Sequence, residues 1–553
     1  MKVCKLFIIL SVLYPISAFA QIYSNSTPTH SDSLRGFLSE NRQSFDVKFY
    51  ELDITVDTVY RSILGYVDIY FEIINDIDSL QLDLFKNLEI TSVQSSTGDE
   101  LLFSRDENTF YVKFSSKYKT GVFDKIRVQY YGNPRIAPMA PWDGGFVWTY
   151  DDNGDLWIST AVQGLGASAW YPCKDHQSDK PDSVLIRVSV PSGLQNISNG
   201  RLRSVKEYQG STTFEWYVSN PINTYNVCLN IGQFVHFNDY LISYDGDTLT
   251  LDYYVKDYNL EEAKEQFGQV ETMMKCFESK FGKYPFYEDG YKIIETPFAG
   301  MEHQSAIAYG NNYKNGYRGI SVSEYGKQFD YIIVHESAHE WWGNNITSND
   351  IADMWIHEGF GTYAEAVYVE CVFGYDAALT YINDHVQQVT NISPILGKFG
   401  LNKRGSVDMY KKGMLMLNTL RHVIDNDKLW WEILYELNKV FRHSSVDGTE
   451  IIGFINEKTG MNLNDFFRQY LEFTSLPDLS IKFDKSGDNT VIKYHWNTDT
   501  ETFSIPVRLI VGNETMKIFP SKAEEEVIIY NTSPDDIKVD TARFFITVNG
   551  VIE

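Results

Sequence analysis

The 553-residue sequence is short of cations: 48 Lys and Arg stand against 74 Asp and Glu, a formal net charge of −26. That deficit excludes nucleic acid as a partner, because a phosphate-binding surface needs clustered Lys and Arg. The acidity serves solubility, and it also sets up a field that draws in cationic ligands such as peptides with a protonated amino end. Cysteine is scarce too, five in all with no Cys-x-x-Cys pair. Cys173, Cys228, Cys276 and Cys371 are scattered, which leaves disulfides and buried free thiols equally open. Long apolar runs are missing: past the N-terminus no stretch approaches the roughly 18 residues of a membrane span, so none is expected in the mature chain. No repeat and no low-complexity linker is present. Hydrophobic residues at 43% and charged residues at 22% are those of a folded protein.

The N-terminus carries a pattern of its own. Lys2 and Lys5 precede an apolar run from Leu6 to Ile16, and Ser17-Ala18-Phe19-Ala20 leads to Gln21. A basic start, a short apolar stretch and a small-x-small site read as a secretory signal over 1–20, which predicts a periplasmic or secreted protein. Cys4 would leave with it.

A chain this long exceeds one compact core. Residues 21–253 read as an N-terminal β-domain, with Tyr50, Leu52, Ile54 and Val56 alternating as on a half-buried strand. The period changes near 259, where Asn259 and Glu262 suggest a capping box. Ala263, Phe267, Val270, Met274, Phe277 and Phe281 then recur at helical spacing. Further helical patterns lie around 331–343, 353–373, 408–425 and 462–472, making 254–475 mainly helical. Short β-type runs return at Val491–Trp496, Ile505–Val511, Val527–Tyr530 and Phe544–Val548, predicting a small β-sandwich over 476–553. The fold class is therefore multidomain α+β.

The chemistry concentrates in His335-Glu336-Ser337-Ala338-His339, inside a helix that is apolar before the motif and aromatic after it. Two His four residues apart share one helix face, so their imidazoles can converge on one ion. A carboxylate, Glu358, follows His339 by 19 residues. Gly343 and Asn344 would end the first helix, Asp353 would cap the second, and the return would carry Glu358 over the His pair. Two His and one Glu form a catalytic zinc set with a position left open for water, and Glu336 would reach that water instead of the metal. Glu365 reads more readily as a solvated helix face than as a partner for a ligating His. His357 reads as structural, and Glu340 as a non-ligand.

His-Glu-x-x-His with a Glu after 18 intervening residues resembles the gluzincin aminopeptidases of the M1 family, which includes aminopeptidase N and the leukotriene epoxide hydrolases. The resemblance extends to Gly300-Met301-Glu302 in Ala299-Gly300-Met301-Glu302-His303, where His303 replaces the usual Asn. It implies that Gly300, Met301 and Glu302 bind substrate, with Glu302 holding the free α-amino group. Tyr410 in Tyr410-Lys411-Lys412-Gly413 matches the tyrosine that stabilises the tetrahedral intermediate, and Gln163, nine residues before Pro172, matches a contact to the amino end. The family fold implied is a β-domain, a thermolysin-like catalytic domain and a β-sandwich, in a form without the large helical C-terminal domain.

These readings predict one zinc ion per chain on His335, His339 and Glu358, and hydrolysis of peptides with a free N-terminus. Glu336 would act as general base and Tyr410 as oxyanion donor. An endopeptidase or epoxide hydrolase on the same scaffold, or a non-catalytic peptide-binding protein, are the alternatives. Oligomeric state is left open.

Overall fold

The structure, a computed structural model, describes residues 27–552, so the leader predicted at 1–20 lies outside the described residues. A seven-stranded sheet opens the fold, built around Phe45–Asp57, which pairs antiparallel with Ser62–Ile73 and parallel with Ser183–Pro191. The predicted alternation is what buries one face: Tyr50, Leu52, Ile54 and Val56 all point into the core. A three-stranded sheet and a four-stranded sheet complete this region, the latter ending on Gly145–Tyr150. Its hydrophobic core is separate from that of the remaining chain.

The second core begins earlier than the change of period suggests. Val235–Ile242 pairs with Thr248–Val255, which in turn pairs with Tyr291–Glu295, not with the first sheets, in a five-stranded sheet. Gly300–Met301 forms its edge, paired only with Ile307–Tyr309. Helices share its core, including the predicted ones at Tyr331–Ala338, Trp355–Phe373, Asp408–Ile424 and Asn464–Glu472, the first of them against the sheet edge. Two sheets of four and three strands follow from Asp478 to Ile552, sharing one continuous core with the helices. The α+β architecture and its closing sandwich are as expected.

Local details differ. The helical stripe after 259 is two helices, Leu260–Phe267 and Gln269–Phe281, divided at Gly268. Asn259 makes no capping bond; its Nδ2 donates to Glu295 Oε1 at 2.7 Å, a charge-assisted bond that sets the orientation of the side chain. Asp350 accepts from Ala352 N, while Asp353, expected as the cap, accepts from Trp355 Nε1 and Gly448 N. The last strand starts at Thr547 instead of Phe544, because Phe545 N donates to Thr419 Oγ1 and Phe545 O accepts from Tyr470 OH. Those helix side chains take the groups a ladder would need. Cys276 and Cys371 form a disulfide between two helices, and Cys173 and Cys228 are buried free thiols. Among the described residues no helix is long and apolar enough to cross a membrane.

Candidate metal centre

Asp330 starts the Tyr331–Ala338 helix, its Oδ1 accepting from Ile332 N and Ile333 N at 3.0 and 3.3 Å. The regular helix stops at Ala338, sooner than expected, and wider turns follow: Asn344 N bonds His339 O and Asn345 N bonds Glu340 O. That turn lets His339 Nδ1 donate to the Trp342 carbonyl at 2.9 Å. Since a carbonyl only accepts, Nδ1 keeps its hydrogen, and in the neutral ring the Nε2 of His339 offers its lone pair to the cavity. His335 is fixed in the same way by Glu365 Oε1, 2.8 Å from its Nδ1.

Glu365 thus corrects the solvated-face expectation. It is fully buried, accepts also from Tyr381 OH, and pairs with Lys411 at 3.4 Å. Burial would raise its carboxyl, but Lys411 and His335 outweigh that and hold it at about 2.

His335 Nε2, His339 Nε2 and Glu358 Oε2 converge. The His–His separation is 3.3 Å, and Glu358 lies 3.6 Å from His335 and 3.4 Å from His339. Ligands at 2.0–2.2 Å around a tetrahedral ion are about 3.3–3.6 Å apart, so the three donors fit one zinc-sized ion. Glu358 Oε2 is buried without a hydrogen-bond partner, the orphaned acceptor that a cation would satisfy. Burial alone would depress the imidazoles, yet the carboxylates beside them push His335 up to about 10 and His339 to about 9. This set is the metal-capable group of His, Cys, Asp or Glu found among the described residues.

Around it lies a cavity of about 360 Å³ lined by all the residues singled out from the sequence: Gln163, Gly300, Met301, Glu302, Glu336 and Tyr410, besides the three donors. Gly300 permits a close approach, since a Cβ there would sit 2.6 Å from Glu336 Oε1. Burial, with Glu302 adding and the imidazoles opposing, lifts the Glu336 carboxyl to about 7. Tyr410 comes from the Asp408–Ile424 helix, which packs closely on the Trp355–Phe373 helix where Gly413 meets Gly359; a Cβ on Gly413 would lie 2.8 Å from Gly359 Cα. Its ring lies 6.0 Å from that of His335, and burial together with Glu358 pushes its hydroxyl well above 10, keeping it a neutral donor.

Glu302 receives Gln163 Nε2 and, at 3.1 Å, Tyr225 OH, a residue the sequence did not single out among 37 tyrosines. Burial raises the Glu302 carboxyl and His339 opposes it. His303 is fully buried and does not line the cavity. His357 accepts from Ser348 N at 2.9 Å and stays neutral, held at about 3 by burial. Glu340 accepts from Ser305 N at 2.7 Å, tying the metal helix to the loop after Glu302.

The peptidase family M1 domain matches residues 265–470, and the peptidase M1 N-terminal domain matches 47–226. The chain belongs to peptidase family M1. It is 22% identical to a leucyl aminopeptidase of Saccharolobus solfataricus over 90% of this chain and 62% of that protein. It is 24% identical to aminopeptidase B of Rattus norvegicus over 54% of this chain and 46% of that one. The chain spans less than two thirds of the length of these curated relatives. An M1 zinc metallopeptidase from Deinococcus radiodurans has the same fold, with a TM-score of 0.67 at 21% identity, over 81% of this chain and 98% of that one.

Proposed function

We propose that this chain is a zinc aminopeptidase that removes the N-terminal residue from peptides. The observation that carries the reading is a buried carboxylate, Glu302, facing the same cavity as the His335, His339 and Glu358 donors. A fixed anion beside a metal selects a cation there, and the cation at a peptide's end is its amine. An endopeptidase would need that space for further residues.

His335, His339 and Glu358 would hold the ion, with Glu365 and the Trp342 carbonyl fixing the two imidazoles. Zinc bound there supplies a Lewis acid for the scissile carbonyl and lowers the pKa of water. Glu336 takes a proton from the attacking water and delivers it to the leaving amine. The Tyr410 hydroxyl donates to the oxyanion as it forms. Glu302, supported by Gln163 and Tyr225, holds the substrate amine.

Export through the 1–20 leader belongs to the same proposal, supported by its residue pattern and by the Cys276–Cys371 disulfide, a bond kept in oxidising compartments. Comparing free with N-acetylated peptides, with and without chelator, tests the activity. The reading predicts cleavage of the free peptides alone, abolished by the chelator; equal cleavage of both peptides would overturn it.

A further inference from the structure

A second cavity, of about 460 Å³, opens where the Gly145–Tyr150 strand meets the catalytic domain. Its wall carries the rings of Tyr150, Trp157, Tyr258 and Tyr313 beside the carboxylates of Asp152 and Glu262, against one basic residue, Arg318. Aromatic faces and carboxylates around a concavity of this size form a receptor for a cationic side chain. Tyr313 and Asn312 at its edge hold φ of 53° and 56°. Left-handed backbone is costly at a bulky residue and persists only where its surroundings impose it.

Two walls run from the metal cavity to this one. On the catalytic side, Ala299 and Gly300 line the first and Thr296 and Pro297 the second; on the β-domain side, Asp143 and Gly144 line the first and Thr149 and Tyr150 the second. The Gly300–Met301 strand pairs on one side only, which leaves its outer edge for an extended peptide. With its amine at Glu302, a peptide can run along that edge in only one direction. The parallel course leads to His303, which lines neither cavity; the antiparallel course leads past Gly300 and Ala299, which line the metal cavity, toward Pro297, which lines the second. At about 3.3 Å per residue, the two to five steps along the walls from one cavity to the other bring roughly the fourth to sixth peptide residue into the second one.

We propose that this cavity is a subsite for a Lys or Arg side chain about four to six residues from the amino terminus of the peptide being trimmed. The inference rests on the aminopeptidase reading above and adds a preferred substrate class: peptides of at least four to six residues with a downstream cation.

The test uses the full chain and a Tyr150→Ala/Asp152→Asn double variant; both side chains are solvent-exposed. For heptapeptides with Lys at positions 4–6, kcat/KM in the variant falls about five- to tenfold, mostly through KM. It stays within twofold for the same peptides with Glu at those positions and for a one-residue chromogenic substrate. Equal losses on Lys and Glu peptides, or none on either, overturn the subsite. Should the parent chain cleave no free-amine substrate, the aminopeptidase reading has failed by itself. Binding of an N-acetylated Lys heptapeptide, followed by Trp fluorescence, then decides the subsite: a five- to tenfold weaker Kd in the variant supports it and an unchanged Kd overturns it.

Discussion

His335, His339 and Glu358 come from one helix, the turn that ends it and a second helix, all inside one hydrophobic core, whereas Gln163, Tyr225 and Glu302 come from segments up to 139 residues apart that meet between two cores. The metal side is set by local helix geometry and by buried partners such as Glu365. The amine side depends on how the two regions are pressed together. That apposition is polar and specific: Asn223 Nδ2 donates to Gly343 O at 2.9 Å, Asn199 Nδ2 to Gln304 O at 2.7 Å, and Lys180 Nζ to Asn344 O. Chemistry and substrate choice therefore rest on separable parts of the molecule. Damage to one should leave a measurable remnant of the other.

The largest expected effect lies on the metal side. Glu336→Gln lowers kcat about 10²–10⁴-fold while metal content, measured by atomic emission, stays at one ion per chain. Unchanged turnover would remove Glu336 as the base. Its pH signature follows from burial, which lifts the carboxyl to about 7. A base works deprotonated, so kcat/KM falls as pH drops through that value. A bound dication pulls the pKa lower, which places the acid limb at or below pH 7, and the Gln variant loses this limb. A limb that persists unaltered in the variant would assign it to another group.

On the amine side, Glu302→Gln lowers kcat/KM for free-amine substrates about 10²-fold, as expected when a buried charge loses its partner. Metal content is unaffected, so the two sides separate in one experiment. A variant that instead loses its metal would show that the sides are one unit.

Glu365→Gln probes the support of the metal side alone. Weakening the bond to His335 Nδ1 lowers metal affinity about 10–100-fold, read by competition with a chromogenic chelator. Discrimination between free and acetylated peptides persists once metal is resupplied. An affinity within twofold of the parent would reduce Glu365 to a packing role.

The same contrast explains what was legible in the sequence. His335, Glu336, His339 and Glu358 could be read because helical spacing and a short return determine which side chains share a face. Gly300, Met301, Glu302, Tyr410 and Gln163 came only through family resemblance, since neither an edge strand nor a helix on the opposite wall announces its neighbours. Tyr225 had no signal at all. Its role arises from packing between regions, one tyrosine among 37. Glu365 was misjudged because seven residues past Glu358 it shares that helix face, and nothing in the local pattern showed that Tyr381 and Lys411 would close over it. Caps failed for a related reason: Asn259 and Asp353 are sound helix starters whose side chains are held by partners from distant segments, Glu295 and the Gly448 amide.

Asp330 gives the smallest expected effect and tests whether the metal helix depends on contacts beyond its own turn. Its carboxylate caps that helix and also accepts from Asn311 Nδ2, Gln266 Nε2 and Tyr309 OH at 2.7–2.8 Å. Burial pushes its carboxyl up to about 6. A raised carboxyl binds its proton more tightly folded than unfolded, so this residue favours folding more below the unfolded value near 4 and progressively less as pH rises through 6. Asp330→Ala removes the cap and takes the acceptor from the buried Tyr309 hydroxyl, lowering stability by about 2 kcal/mol by urea unfolding at neutral pH. Asp330→Asn keeps an acceptor for Ile332 N and Ile333 N and loses the charge, so its deficit at neutral pH is smaller, and it also loses the contribution of this group's titration between pH 4 and 6. Equal deficits for Ala and Asn would mean that the charge, and not the cap, holds the start of the metal helix.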